Sequence, residues 1–258
     1  MNIPLTLDSS KINNSVGGNF TVHFPSGIPL QEHLDSLRSH EIALVAADLW
    51  YTWHNIKASY GNNTFRYYNG SVWRDITLPD GNYQINDLNV YLHDKMVENN
   101  DYTTNTDGEK EYSINLLPNE VTIKVRVELS DSYQIDFSTS DLNELLGFEK
   151  QIYTTTVESP NRVDITRGIN SLLIHCSLVN NSYDNGTAGD ILYTFTPQVS
   201  RGSSIHVEPN NPIYVPISLA SQINTINMRI TDQQNRVIDF NGEPVTYFLL
   251  IRPTKKPL

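Results

Sequence analysis

The chain has 258 residues, a formal net charge of −11 and one cysteine, Cys176. That length can bury a sizeable core in one large β domain or two small ones without covalent staples, and a lone cysteine excludes an internal disulfide. The acidic balance argues against a broad nucleic-acid surface, because neutralising phosphates takes clustered Lys and Arg. The pair Lys255–Lys256 is too small for that and reads as a solvated tail. The longest apolar run, Ile42 to Ala47, is far shorter than the roughly 20 residues that cross a bilayer, so no membrane span is expected. The opening MNIPLTLDSSK has no apolar stretch of the signal-peptide kind. The six Asn-X-Ser/Thr triplets, at Asn13, Asn19, Asn62, Asn69, Asn180 and Asn185, are therefore expected to reflect an Asn-rich, Thr-rich composition rather than glycan acceptors.

In chain order, FTVHF, HEIALVAADLWYTW and NTFRYYN read as strands, rich in β-branched and aromatic residues and bounded by Gly, Pro, Asn and Asp. Asp80–Gly81 supplies a turn. Asn86 or Asp87 is then the expected cap of a short helix carrying Leu88, Tyr91, Leu92 and Met96 at helical spacing. VENNDYTTNTDGEKE is long and polar and predicts a loop or exposed insertion. In NEVTIKVRVEL, Val121, Ile123, Val125 and Val127 alternate with Thr122, Lys124, Arg126 and Glu128, the pattern of a half-buried antiparallel strand. In DFSTSDLNELLGF, Ser140 or Asp141 caps a second helix, Leu142, Leu145 and Leu146 form its apolar stripe, and Gly147 ends it. The helices share Asp-Leu-Asn (87–89 and 141–143), but their flanks differ, which favours a recurrent capped helix over a duplication.

NSLLIHCSLV is more continuously apolar, as expected of a strand between two layers. NNSYDNGTAGD reads as a loop, and DILYTFTP and NPIYVPIS as strands. In INTINMRITDQQNRVIDFNGEPVTYFLLIRP, alternation gives two strands. DQQN and NGE supply turns, Gly242 takes a positive φ, and Pro244 sits where its missing N–H does least harm. A closing β-meander is predicted. No composition shift marks a linker. Many short strands with two short helices predict an all-β chain, a jelly-roll β-sandwich of antiparallel strands. The expected organisation is a single domain over 1–258 with elaborated loops and an exposed insertion near 97–111.

Reaction machinery is hard to find. There is no nucleophile elbow, no Gly-rich phosphate loop and no zinc helix; HEIAL at His40 lacks the second ligand. His175 and Cys176 are neighbours on a strand and point to opposite faces, so they cannot form a nucleophile–base pair. Asp184, Asn185 and Asp190 share a loop but lack the calcium-loop ligand series, and the alternating Asp107, Glu109 and Glu111 fit a solvated loop. No metal or cofactor is expected. Trp50, Trp53 and Trp73, with Tyr51, Tyr60, Tyr67 and Tyr68, concentrate aromatics between residues 50 and 73. They could stack sugars or anchor a partner, or simply fill a core strand with one wet face.

One resemblance adds to this. The segments LPDGNYQINDLNVYL, YSINLLPNEVTIKVRVEL, DLNELLGFEK, VDITRGINSLLIHCSLV and INMRITDQQNRVIDFNGEPVTYFLLIRP follow one another over residues 78 to 253. Their order and spacing resemble the minor capsid, or penton, proteins of Polinton/Maverick elements, adintoviruses and virophages. The resemblance implies a jelly roll and five subunits around each icosahedral vertex of a virion. It further implies contacts to a double jelly-roll major capsid protein, and that family offers no catalytic residues to carry over. The competing expectation is a carbohydrate- or receptor-binding β-sandwich of the attachment type, which would rest on the tryptophans. A β-sandwich enzyme would require clustered acids or a histidine triad assembled across strands.

Overall fold

The computed structural model describes residues 2–12, 18–30, 40–130, 132–166, 168–180, 182–184, 186–217 and 222–254. Lys255–Lys256 and the triplet residues Asn13 and Asn185 lie outside them. The chain begins with β1 (Ile3–Asp8), β2 (Phe20–Pro29) and β3 (His40–Trp50). There follow β4 (Thr64–Tyr68), β5 (Trp73–Thr77), α1 (Ile85–Glu98), β6 (Thr103–Thr104), β7 (Lys110–Glu111), β8 (Ile114–Asn119) and β9 (Lys124–Leu129). Next come β10 (Gln134–Asp136), α2 (Leu142–Leu146), β11 (Ile152–Tyr153) and β12 (Val157–Glu158). The last third holds β13 (Leu172–Cys176), β14 (Ser182–Asp184), β15 (Thr187–Gly189), β16 (Ile191–Phe195), β17 (Ser204–Val207), β18 (Val215–Pro216), β19 (Gln222–Asp232) and β20 (Thr246–Pro253).

The chain forms two compact units, one from residues 1–53 and 169–258, the other from 54–168. Where the sequence pattern predicts one domain with an insertion near 97–111, the inserted segment is the whole of 54–168, with its own core. Nothing in composition betrays the junctions, because neither TWHN nor RGIN is a Pro- or Gly-rich linker.

The first unit is the all-β sandwich expected. Its sheets run β1-β20-β3-β17, with β18 also on β3, and β16-β13-β19-β2, all antiparallel. Counting the eight long-paired strands in chain order, one sheet holds the first, eighth, third and sixth, and the other the fifth, fourth, seventh and second. That interleaving is the jelly roll, two Greek keys wound into two layers. Period-two alternation feeds one core from both layers: Ile42, Leu44, Tyr247, Leu249 and Ile251 from the first sheet, Ile174, Cys176, Ile226, Met228 and Ile230 from the second. The Phe20 and Tyr247 rings stack across the layers at 5.8 Å.

The predicted closing meander does not form. β19 and β20 lie in different sheets, and RVIDF contributes only a bridge from Val237 to Thr231. Asp232 turns the chain instead: its carboxylate accepts the N–H groups of Gln234 and Arg236 and pairs with the Arg236 guanidinium at 2.5 Å. Ile238 and Phe240 then drop into the core on the way to the other layer.

The second unit packs α1 and α2 with two sheets, β11-β10-β4-β5 and β12-β9-β8, around a separate core that includes Phe65, Tyr67, Leu88, Leu92, Val125, Val127 and Phe137. The α1 cap is Gln84, two or three residues before the Asn86 or Asp87 expected. Asp87 serves as the returning side chain of the capping box, its carboxylate accepting the Gln84 N–H at 2.7 Å. α2 ends as predicted at Gly147, which takes a φ of 78° and where a Cβ would clash with the backbone oxygen of Asn161. Val121 and Ile123 do not lie on a strand. β9 begins at Lys124, because the Asn119 side chain accepts the Val121 and Thr122 N–H groups and closes a turn, leaving Val121 93% exposed. Of VENNDYTTNTDGEKE, Val97 and Glu98 close α1, and 103–111 form a short exposed hairpin, β6–β7, folded on the Asn105 side chain. Buried Asn55 ties the entering and leaving ends of this unit: its Nδ2 donates to Ile165 O at 2.8 Å and Tyr83 O at 2.7 Å, and its Oδ1 accepts the Tyr83 N–H.

In the first core the Tyr247 hydroxyl is fully buried with no hydrogen-bond partner among the described residues, and burial holds its pKa well above the ordinary value. An unpaired buried hydroxyl costs about 1–3 kcal/mol. Tyr247→Phe is therefore predicted to raise unfolding free energy in urea by about 1 kcal/mol, whereas Tyr247→Ala should lower it by about 3–5 kcal/mol.

Candidate functional site

The hairpin β4–β5 is built on Asn69–Gly70. The Asn69 carboxamide oxygen accepts the Ser71 and Val72 N–H groups, and Gly70 takes a φ of 89° that a side chain would resist. Alternation sends Phe65, Tyr67, Ile76 and Ile135 into the second unit's core. The opposite face of the same sheet carries Arg66 and Tyr68 of β4, Trp73 and Asp75 of β5, and Gln134 and Asp136 of β10. Cross-strand register pairs them: Tyr68 with Trp73 and Gln134, Arg66 with Asp75 and Asp136.

These side chains touch. The Tyr68 and Trp73 rings lie 5.4 Å apart at 47°. The Arg66 guanidinium sits 4.6 Å from the centre of the Trp73 ring, a cation–π contact. Arg66 Nε donates to Asp136 Oδ2 at 2.7 Å, and Asp136 Oδ1 accepts the Ser138 N–H at 2.7 Å. Asp136 is fully buried. Burial pushes its carboxyl up, but the Ser138 bonds and the Arg66 charge outweigh that, so it titrates below the ordinary aspartate range. The terminal amino groups of Arg66, the Asp75 carboxylate and the Gln134 amide have no partner among the described residues. Behind the hairpin, Asp101 accepts from the Tyr67 hydroxyl at 2.8 Å and the Asn69 amide at 2.7 Å, with Arg74 Nε at 3.3 Å, and this fixes the tip.

The three tryptophans singled out in the sequence fall in two different units. Trp73 belongs to the second unit, whereas Trp50 and Trp53 belong to the first. Trp50 ends β3 opposite Ser204 and is partly exposed. Trp53 is a core residue, stacked on Tyr51 at 4.1 Å and edge-on to Phe240 at 5.9 Å. Sequence reasoning missed Arg66, Asp75, Gln134 and Asp136. The signal was present in RYYNGSVW, where a turn at Asn69–Gly70 sets Tyr68 opposite Trp73; no local pattern brings β10 alongside.

A second polar cluster lies in the first unit. His175 Nδ1 is 2.7 Å from Asp190 Oδ1, His175 Nε2 is 2.8 Å from Thr231 Oγ1, and Arg229 Nη2 donates to Asp190 Oδ1 at 2.8 Å. Burial raises the Asp190 carboxyl, but the His175 bond and the His175 and Arg229 charges lower it further. Hydroxyl, imidazole and carboxylate stand in the order of a nucleophile, its base and an orienting acid. However, His175 and Thr231 are each only 2% exposed, so in this arrangement no substrate reaches the hydroxyl. Cys176, on the opposite face of β13, lies in the core with its thiol pushed up to about 12 by burial.

Asp190 is thus occupied by His175 and Arg229 rather than free for a cation. Asn185 and the Asp184 side chain lie outside the described positions, and no metal-binding group is found among the described residues. Asp107, Glu109 and Glu111 are exposed, in keeping with a solvated loop. Asn62 is buried, donating to Asn55 O and accepting from Lys57 N, and Asn69 is engaged at the hairpin, so neither offers its amide as a glycan acceptor. No described helix is long and apolar enough to cross a membrane.

No protein-family model matches the chain, and no curated protein matches it. Among solved structures it is similar to the mavirus penton protein in its selenomethionine-labelled crystal form. Identity is 12%, the alignment covers 98% of this chain and 100% of that one, and the TM-score is 0.47.

The Asp136 carboxyl has a folded pKa below its unfolded value, so its stabilisation is present above the unfolded value and lost as pH falls through the folded one. Asp136→Asn should cost about 1–3 kcal/mol at neutral pH through the lost charged hydrogen bonds. Urea titrations at falling pH should then show a shallower acid decline for the variant than for the wild type, most visibly below about pH 4.

Proposed function

We propose that the chain is a structural capsid subunit, a penton-type minor capsid protein of a virus or virus-like element. Five copies would surround an icosahedral vertex and contact a double jelly-roll major capsid protein in the virion. The observation that carries this reading is the strand order of the first unit, a complete single jelly roll. That architecture serves viral capsids as well as lectins and cupins, and the order of segments over residues 78 to 253 resembles the penton proteins of Polinton/Maverick elements and their relatives. Two layers closed by long antiparallel ladders leave the connections at the ends of the sandwich. Identical copies can then meet through one heterologous contact that closes into a ring.

This reading makes the chain a non-enzyme. The Thr231–His175–Asp190 array supports it: the array's hydroxyl and imidazole are sealed from solvent, so it orders the sheet's outer face and offers no attack site.

Light scattering of the purified chain, alone and with the matching major capsid protein, tests the proposal. The expected species has five times the 29.3 kDa chain mass, alone or upon mixing, and co-purifies with capsid particles. A chain that stays monomeric in both and is absent from assembled particles would contradict it.

A further inference from the structure

The outer face of the sheet β11-β10-β4-β5 is not used by the capsid reading. Two rings, Tyr68 and Trp73, form an apolar platform, and three polar groups with unspent hydrogen-bonding capacity border it: the Arg66 terminal amino groups, the Asp75 carboxylate and the Gln134 amide. Donor, acceptor and mixed amide therefore stand beside aromatic surface on one face, held by register and by the buried Asp136. The Arg66–Asp136 pair and the Arg66–Trp73 contact stabilise the sheet, and they do so while leaving both rings beside uncommitted polar groups at the surface.

We propose that this face binds a neutral hexopyranose, such as the terminal residue of a surface glycan. A pyranose presents one face of C–H bonds, which stacks on an aromatic ring, and a rim of hydroxyls that both donate and accept. Arg66 donates to a ring or hydroxyl oxygen, Asp75 accepts from a hydroxyl, and Gln134 does either. Charge selects the neutral sugar. The Arg66 cation is answered by Asp136, and Asp75 adds one more negative charge, so the face is net negative and repels sialylated or sulfated glycans, phosphate backbones and anionic lipid. Trp50 and Trp53 take no part. Asp136 positions the platform by holding Arg66, whereas Arg66, Trp73, Tyr68, Asp75 and Gln134 touch the ligand. The proposal is independent of the pentamer and survives if that reading fails.

Saturation-transfer NMR and tryptophan fluorescence on the full chain test it with methyl α- and β-glycosides of glucose, galactose and mannose, and with sialyllactose and a sulfated disaccharide as anionic comparators. At least one neutral glycoside should bind saturably, with Kd in the millimolar range or below. Trp73→Ala should weaken it at least about tenfold, and Asp75→Asn or Gln134→Ala several-fold. Both polar variants change exposed or half-exposed side chains and should keep the wild-type melting curve, so the test stands even if Trp73→Ala unfolds. Saturable binding unaffected by Asp75→Asn, Gln134→Ala and a folded Trp73→Ala would overturn the proposal. So would binding of the anionic comparators only, or of no sugar.

Discussion

The first unit depends on β20. This strand hydrogen-bonds to β1 on one side, from Ile3–Ile251 to Asp8–Thr246, and to β3 on the other, from Pro253–His40 to Thr246–Asp48. It therefore joins residues nearly the full chain length apart. Its inward side chains, Tyr247, Leu249 and Ile251, are almost completely buried. Each contributes about 1.5–3 kcal/mol of transfer free energy, and each would be lost to the core by a register slip of one residue. Between Phe248 and Leu249 the register against β3 shifts by one residue, so the inward set of β3 passes from Ile42 and Leu44 to Ala47 and Leu49 while β20 keeps its alternation. With the eighth strand seated, the third and first are fixed, and the Phe20–Tyr247 stack carries that order to the other layer.

A closing strand of this kind must tolerate whatever intervenes, and here the intervening chain includes an entire second unit between β3 and β13. The entropic cost of closing a long loop grows only slowly with its length. Asn55 reduces it further by joining both ends of the insert within the insert's own structure. The polar networks follow one rule in both units. Asp136 under Arg66 and Asp190 between His175 and Arg229 are carboxylates drawn into low-dielectric surroundings and held ionised by paired cations and N–H or O–H donors. The two differ in what they leave open. At Arg66 unspent donors and aromatic rings remain at the surface; at His175 the hydroxyl is covered.

Much of the fold was legible. HEIALVAADLW, NSLLIHC and INMRITD carry period-two or continuous apolar patterns that match β3, β13 and β19, and the Leu142–Gly147 helix ends where a left-handed glycine must end it. Local patterns misled where a side chain overrode periodicity. Asn119 bent Val121–Ile123 into a turn, and Asp232 diverted the chain from a meander into a layer crossing. Domain number was not legible, because the junctions near 53 and 169 carry no change of composition. Trp73 was visible as an aromatic. Its partners were not, since Asp136 lies 70 residues from Arg66 and only register joins them. The same holds for His175, Asp190 and Thr231, which sequence alone could neither assemble nor seal.

Native-state hydrogen exchange resolved to single amides tests the claim about β20 most directly. If the strand is bonded on both edges within the core, the amides of Tyr247 through Ile251 and their partners in β3 should be among the slowest in the first unit, exchanging only through global unfolding of that unit. Exchange of these amides at the rate of the exposed β6–β7 hairpin would contradict the jelly-roll closure on which the account rests.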